Sequence, residues 1–200
     1  MLTTLLISAV FSWIVVLLLV VAVLALARQV GVLHMRVAPA GALTTAGGPA
    51  VGNTAPAIPA FTLGGKKQTV GGAAPGVKLR LLMFVSATCP LCKALIPMAK
   101  SFARDERTQL IFIGDDEAQA QHDMIARHGL EDYVFINGPD VGQAFAVGKL
   151  PYAVLLDAEG VILSKGLVNS REHLESLVIA HEMGVRSVQD YIATLTTRVA

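Results

Sequence analysis

The chain has 200 residues, 54% hydrophobic and only 16% charged, with 16 basic residues against 15 acidic for a net charge of +1. That length fits one ordinary domain and something extra, but not two full-sized domains. The apolar content excludes disorder for most of the chain, and the near-zero charge without a basic patch excludes a nucleic-acid binder. Two cysteines, Cys89 and Cys92, exclude both a disulfide-stapled miniprotein and a four-cysteine zinc site.

The apolar excess sits at one end. No Asp, Glu, Lys, Arg or His occurs from Met1 to Ala27, and in residues 5–27 (LLISAVFSWIVVLLLVVAVLALA) only Ser8 and Ser12 interrupt the hydrophobic run. At about 1.5 Å per residue a helix of that length spans roughly 30 Å, the thickness of a bilayer's hydrocarbon core. It offers water no polar face, so one N-terminal transmembrane helix is expected. A cleaved signal peptide is the competing reading. It is disfavoured because no Lys or Arg precedes the run, and because the run exceeds the usual span of about 7–15 residues. Arg28 and Arg36 follow the helix, and on the positive-inside rule they vote for a cytoplasmic C-terminal domain.

Residues 1–37 are therefore read as an anchor and juxtamembrane segment, with 28–37 prolonging the helix briefly. Residues 38–52, uncharged and rich in Ala, Gly, Pro and Thr, read as a flexible linker, and 53–200 as the folded domain. In that domain, 61–63 and 68–70 are expected as a hairpin around Gly64-Gly65-Lys66-Lys67. KLRLLMFVS (78–86) is a buried strand with a continuous apolar run. Residues 90–104 carry apolar side chains at 91, 94, 95, 98 and 102, a helical spacing. QLIFIG (109–114) is a second core strand. Asp115 to His128 is helical, with acidic residues at its start and Gly129 at its end. Residues 133–137 form a short strand, 139–148 a helical connector, and 151–166 a hairpin turning at Ala158-Glu159-Gly160. Ser170 caps a last helix bearing Leu174, Leu177, Val178 and His181 on one face, and 187–198 is a further helix. Strand, helix, strand, helix, then hairpin and helix give an α/β class with a mixed sheet flanked by helices.

This order puts Cys89-Pro90-Leu91-Cys92 at a strand-to-helix junction. Pro90 suits the first helical turn, where its missing N–H costs nothing. Cys89 then sits at the cap, where unpaired N–H groups and the helix dipole favour a thiolate. A thiolate is the form that attacks disulfides, and Cys92, one turn on, is placed to resolve the mixed disulfide. A static disulfide is the bland alternative, but a loop that short stabilises little. Half of a zinc site is the other, and it lacks a second ligand pair, since His122 and His128 are too far apart in sequence for the usual spacing. No metal or cofactor site is read from the chain. Pro97 falls inside the helix and is expected to kink it. Leu150-Pro151 precedes the first strand of the 151–166 hairpin, where an X–Pro bond has access to the cis form.

Together these residues resemble the thioredoxin superfamily over about 51–182. The parts are the VGNTAPAIPAFTLGGKK lead-in, the strand LLMFVS, the CPLC motif, Pro97 eight residues after Cys89, and Leu150-Pro151 before a strand. The resemblance implies a thioredoxin-like fold with Cys89 and Cys92 catalytic, with Pro90 and Leu91 shaping the site. It also implies a cis Leu150-Pro151 facing the active site. The lead-in is similar to the membrane-anchored, TlpA-like branch. More narrowly, the anchor, the juxtamembrane LARQVGVLHMRVAPAGAL, the tether and the CPxC domain resemble the MauD family of methylamine utilisation. That resemblance implies a role in maturing the disulfide-rich small (beta) subunit of methylamine dehydrogenase, a periplasmic client with cysteines. Two positions depart from the thioredoxin pattern: Met83 stands where a buried Asp serves as proton acceptor, and Thr88 where a Trp precedes the first Cys. Leu91 replaces the His of strongly oxidising relatives, so an intermediate redox potential is expected.

The expected activity is thus thiol–disulfide oxidoreductase or isomerase. The protein is expected in the bacterial inner membrane as a single-pass protein, with its domain in the periplasm and an unidentified partner recycling the cysteine pair. A thiol reductase of cytochrome c maturation, a peroxiredoxin-like peroxidase and a non-catalytic assembly chaperone are the alternatives. The peroxidase pattern is only half met, with Ser86 keeping the hydroxyl and Leu82 replacing the proline.

Overall fold

The structure is a computed structural model that describes residues 7, 11–21, 23 and 47–182. The chain divides into two compact units, Met1–Ala40 and Gly41–Ala200. In the first, residues 11–21 are helical, and their apolar side chains are exposed, Trp13 at 74% and Leu17 at 66%. Among the described residues no helix is long and apolar enough to cross a membrane. The ends of the expected 5–27 span lie outside the described residues. So do the expected extension over 28–37, residues 38–46 of the linker, the side chain of His181 and the expected helix over 187–198.

The second unit is built on a five-stranded sheet. Its strands are β3 (Leu79–Phe84), β4 (Gln109–Gly114), β5 (Val134–Asn137), β6 (Tyr152–Asp157) and β7 (Ile162–Leu167), in the order β5-β4-β3-β6-β7. β3, β4 and β5 run parallel, and β6 and β7 are antiparallel to their neighbours, so the sheet is mixed as expected. A separate hairpin pairs β1 (Ile58–Phe61) with β2 (Lys67–Val70). The helices are α1 (Pro90–Asp105), α2 (Ala118–His128), α3 (Pro139–Ala144) and α4 (Arg171–Glu182).

Both faces of the sheet are covered, which is why residues 81–84 of β3 are apolar without alternation. Side chains alternate along each strand, so the core divides in two. Leu81 and Met83 of β3 join Phe112, Leu155, the inward face of α1, and Leu174 and Leu177 of α4. Leu82 and Phe84 join Ile111, Ile113, Tyr152, Val154, Val70, Val141 and Phe145 on the other face. Arg80, in the middle of this apolar strand, is only 2% exposed. Its guanidinium donates to the carbonyls of Gly71, Gly72 and Asp157, tying the end of the hairpin to the sheet.

Three expectations are corrected. The first hairpin strand starts and stops earlier than 61–63, and the second starts one residue before 68 and ends at Val70 as expected. Thr62 closes the hairpin, its N–H donating to Lys66 O at 2.9 Å, and also bridges Ile136 on the open edge of β5, where Leu63 N–H donates to Phe135 O at 3.3 Å. The buried stripe of α1 is Cys92, Leu95, Ile96, Ala99, Phe102 and Ala103, so the helix is rotated from the expected face. Leu91 and Met98 are instead 44% and 40% exposed. Finally, α2 begins at Ala118, and Asp115 and Asp116 precede it.

Residues 47–52, counted with the linker on composition, lie against the domain. Lys165 Nζ donates to Gly47 O and Pro49 O at 3.0 and 2.8 Å, and Gly52 N–H donates to Ile162 O at 2.8 Å. Gly48 takes a positive φ of 74° there and lies so close to Phe145 that a Cβ would strike its carbonyl.

Candidate active site

The chain leaves the end of β3 at Phe84 and runs through Val85 to Thr88 into α1. Cys89 is the N-cap of that helix, with φ −87° and ψ 112°, and Pro90 stands in the first turn. The Cys92 N–H points back and donates to Cys89 Sγ at 3.2 Å. A sulfur therefore does the work that a Ser or Asp oxygen does at most helix starts, receiving one of the N–H groups the helix cannot satisfy internally. Ser86 O accepts the Cys89 N–H at 3.2 Å, and Cys89 O accepts the Lys93 N–H at 3.2 Å.

The two thiols are free and differ sharply in surroundings. Cys89 is half-buried, whereas Cys92 has no exposed surface. Burial pushes the Cys92 thiol up to about 12. Its hydrogen bond with Cys89 adds in the same direction, and a backbone hydrogen bond from Ser86 works against both. Met83, in the place of the carboxylate of thioredoxins, is fully buried in the same apolar cluster as Cys92. That position supplies a thioether to the Cys92 environment, and no proton acceptor.

The Leu150–Pro151 bond is cis. Pro151 is buried and directly precedes β6, whose Tyr152 lies opposite Phe84 in the antiparallel ladder. The turn before β6 is thus brought to the end of β3 from which the CPLC loop departs. Leu150, 40% exposed, lines an open cleft of about 380 Å³ with Val85, Ile113, Ala146 and Val147. Neither cysteine lines it. Exposed Leu91 and Leu150 leave apolar surface on both segments.

The MauD methylamine utilisation protein of Methylorubrum extorquens is 42% identical over 94% of this chain and 91% of its own length. The chain belongs to the MauD family. MauD of Paracoccus versutus is 41% identical over 96% of each chain. No family model matches the sequence. Among solved structures, the thioredoxin domain of a thiol–disulfide oxidoreductase from Bacteroides vulgatus superposes with a TM-score of 0.54. It is 19% identical and covers 65% of this chain and 96% of that one, a likeness that shows the fold to be thioredoxin-like.

In this MauD-family chain the structure adds one group to the site that sequence reading assigned elsewhere. Asp116 is not part of a helix start. Its Oδ2 accepts the Ala87 N–H at 2.6 Å and its Oδ1 accepts the Ser86 hydroxyl at 3.0 Å. The sequence separation of about thirty residues hides this link from any local pattern, and only the parallel pairing of β3 with β4 brings the two loops together. Among the described residues no group of three or more His, Cys, Asp or Glu is placed to hold a metal ion.

Proposed function

We propose that this protein is a membrane-anchored thiol–disulfide oxidoreductase or isomerase serving methylamine dehydrogenase, whose small (beta) subunit is the cysteine-bearing client it matures. The observation that carries the reading is the helix-cap cysteine: Cys89 Sγ is half-buried and receives the Cys92 N–H at 3.2 Å, with Cys92 enclosed one turn away. The methylamine link comes from family membership.

Cys89 as thiolate attacks one sulfur of a client disulfide. The Cys89–client bond forms, the client S–S bond breaks, and the other client sulfur leaves as thiolate. Attack by a second client thiolate returns free Cys89 and a rearranged client. Attack by Cys92 instead leaves the client reduced and the Cys89–Cys92 pair oxidised. Run backwards, that second route oxidises the client. Either net redox direction needs a separate redox partner to restore the pair. Pro90 sets the helix start, Pro151 shapes the facing turn, and the exposed Leu91 and Leu150 give a client apolar contacts near the sulfur.

The anchor is assigned to residues 5–27. The support is the absence of any charged side chain and the exposed apolar helix over residues 11–21. Disulfide work suits the periplasm and not a reduced cytosol, and this outweighs the vote of Arg28 and Arg36. An alkaline phosphatase fusion after Ala200 is expected to be active, and an inactive fusion refutes this topology.

The test of the function is trapping. A Cys92→Ser variant, expressed with methylamine dehydrogenase, is expected to hold the small subunit as a mixed disulfide through Cys89, identified by mass spectrometry. Undiminished maturation in a Cys89→Ser, Cys92→Ser double variant refutes the redox reading and leaves a binding role.

A further inference from the structure

The loop that delivers Cys89 is held from outside its own strand and helix. Ser86 is the hub. Its carbonyl accepts the Cys89 N–H at 3.2 Å, and its hydroxyl accepts the Thr88 N–H at 3.1 Å and lies 2.9 Å from Thr88 Oγ1. One residue thus holds both the cap residue Cys89 and the Thr88 before it. Ser86 and its neighbour Ala87 are in turn both bonded to a single carboxylate, that of Asp116.

Asp116 is itself fixed. Gln121 of α2, with no exposed surface, donates from Nε2 to Asp116 Oδ2 at 3.3 Å and to Asn137 Oδ1 at 3.2 Å. Asn137, at the end of β5, donates from Nδ2 to Asp116 O at 3.0 Å. The amide of Gln121 packs so closely on Gly114 that a Cβ there would strike it. Three elements therefore converge on one residue. Among the described residues Asp116 forms no ion pair with Lys or Arg. Its oxygens are spent on neutral donors, two of which belong to the loop before Cys89.

We infer that Asp116 is a positioning residue for the cysteine pair: by hydrogen bonding Ser86 and Ala87 it holds the loop in which the Cys92 N–H meets Cys89 Sγ. The inference rests on the redox reading above. It assigns the action to geometry and not to charge, because the carboxylate bonds the loop at Ser86 and Ala87 and bonds neither sulfur. Asparagine keeps an acceptor for the Ala87 N–H, and its amide can donate to the Ser86 hydroxyl. Alanine removes both bonds and leaves the Ala87 N–H without its partner.

The test uses the full-length protein and two readouts that a merely structural role leaves unmoved in folded protein. One is the alkylation rate of Cys89 by iodoacetamide at pH 7. The other is the equilibrium in which the protein disulfide and two glutathione thiols exchange for the protein dithiol and one glutathione disulfide. Asp116→Ala is expected to slow alkylation about tenfold and to lower the equilibrium constant for reduction about tenfold, the size expected for leaving a buried donor without its acceptor. Asp116→Asn is expected to stay within about threefold of the parent, and Ser86→Ala, which removes one of the two bonds, to fall between. Parental values for Asp116→Ala overturn the inference, as does Asp116→Asn no better than Asp116→Ala. Should Asp116→Ala not fold, Ser86→Ala decides, and unchanged Cys89 chemistry in it is equally fatal. A parent protein whose Cys89 is no more reactive than free cysteine, and that traps no client, defeats the redox reading itself.

Discussion

Two thiols three residues apart should differ in reactivity by orders of magnitude, and the cause can be isolated. With Cys92 raised to about 12 from the ordinary 9.0, about one molecule in ten thousand carries a Cys92 thiolate at pH 8, against about one in eleven for free cysteine. Because only the thiolate is alkylated, Cys92 should react about a thousandfold more slowly than free cysteine, before its complete burial slows access further. The assay is alkylation of the reduced protein with light iodoacetamide at pH 8, followed by denaturation, heavy reagent and mass spectrometry of the peptide carrying both cysteines. Light label is expected on Cys89 and heavy label on Cys92. The largest cause of the Cys92 shift is burial, with Cys89 adding less, so a Cys89→Ser variant should leave Cys92 almost as inert. Cys92 alkylation within about tenfold of free cysteine in the folded parent refutes the reasoning. A jump to the free-cysteine rate in Cys89→Ser refutes the assignment to burial.

The same raised thiol has a consequence for stability. The folded chain holds the Cys92 proton more tightly than the unfolded chain, whose thiol titrates near 9.0. The benefit is therefore complete below pH 9 and is lost between pH 9 and about 12, at about 1.4 kcal/mol per pH unit. Urea denaturation at pH 8 and pH 10 should show a steeper loss in the parent than in Cys92→Ala, and equal losses would contradict it. Arg80→Met leaves the carbonyls of Gly71, Gly72 and Asp157 without their shared donor and should cost about 2–4 kcal/mol at neutral pH. A cost below about 0.5 kcal/mol in denaturant titration would show that water replaces the guanidinium. Arg107, exposed just past α1, has φ 51°, a conformation that L side chains resist and glycine adopts freely. Arg107→Gly should raise stability by about 0.5–1 kcal/mol, read as a higher Tm; a lower Tm counts against the strain.

The readable part of the fold was the part governed by local rules. Residues 81–84 (LLMF) are apolar in succession because both faces of β3 are covered, and that pattern requires no knowledge of its neighbours. Gly129, with φ 60°, ends α2 where a left-handed residue was needed. The CPLC junction followed from Pro90 and the strand before it. What escaped was set by tertiary choice. The apolar spacing ran through Leu91 and Met98, but the helix keeps only Leu95 and Phe102 of that set inward and fills the rest of its buried stripe with Cys92, Ile96, Ala99 and Ala103. Arg80 inside an apolar run shows that a buried cation has to find carbonyls or a carboxylate, but not which ones, since Gly71, Gly72 and Asp157 reach it only in the folded sheet. The acidic triplet at 115–117 fits a helix start by local rules, and the loop that Asp116 serves lies about thirty residues upstream, beyond any local pattern.

The inertness of Cys92 also bears on which disulfide reactions come easily. When Cys89 has reduced a client disulfide, release requires Cys92 to attack as a thiolate, and burial opposes that ionisation. Oxidation of a client begins with the reverse of the same step, in which Cys92 must depart as a thiolate, and a poorly acidic thiol departs slowly. With Met83 where a carboxylate would relay the proton, that position gives neither direction help. Shuffling avoids the obstacle, since Cys89 attacks, a client thiol resolves, and Cys92 never ionises. Cys92→Ser is therefore expected to retain most of the parent's activity in refolding a scrambled-disulfide substrate, while losing both insulin reduction and oxidation of a dithiol peptide by at least about a hundredfold, as expected when the nucleophile of a step is removed. Equal loss of all three activities would place Cys92 on the shuffling path as well and remove burial as the reason for any preference among them.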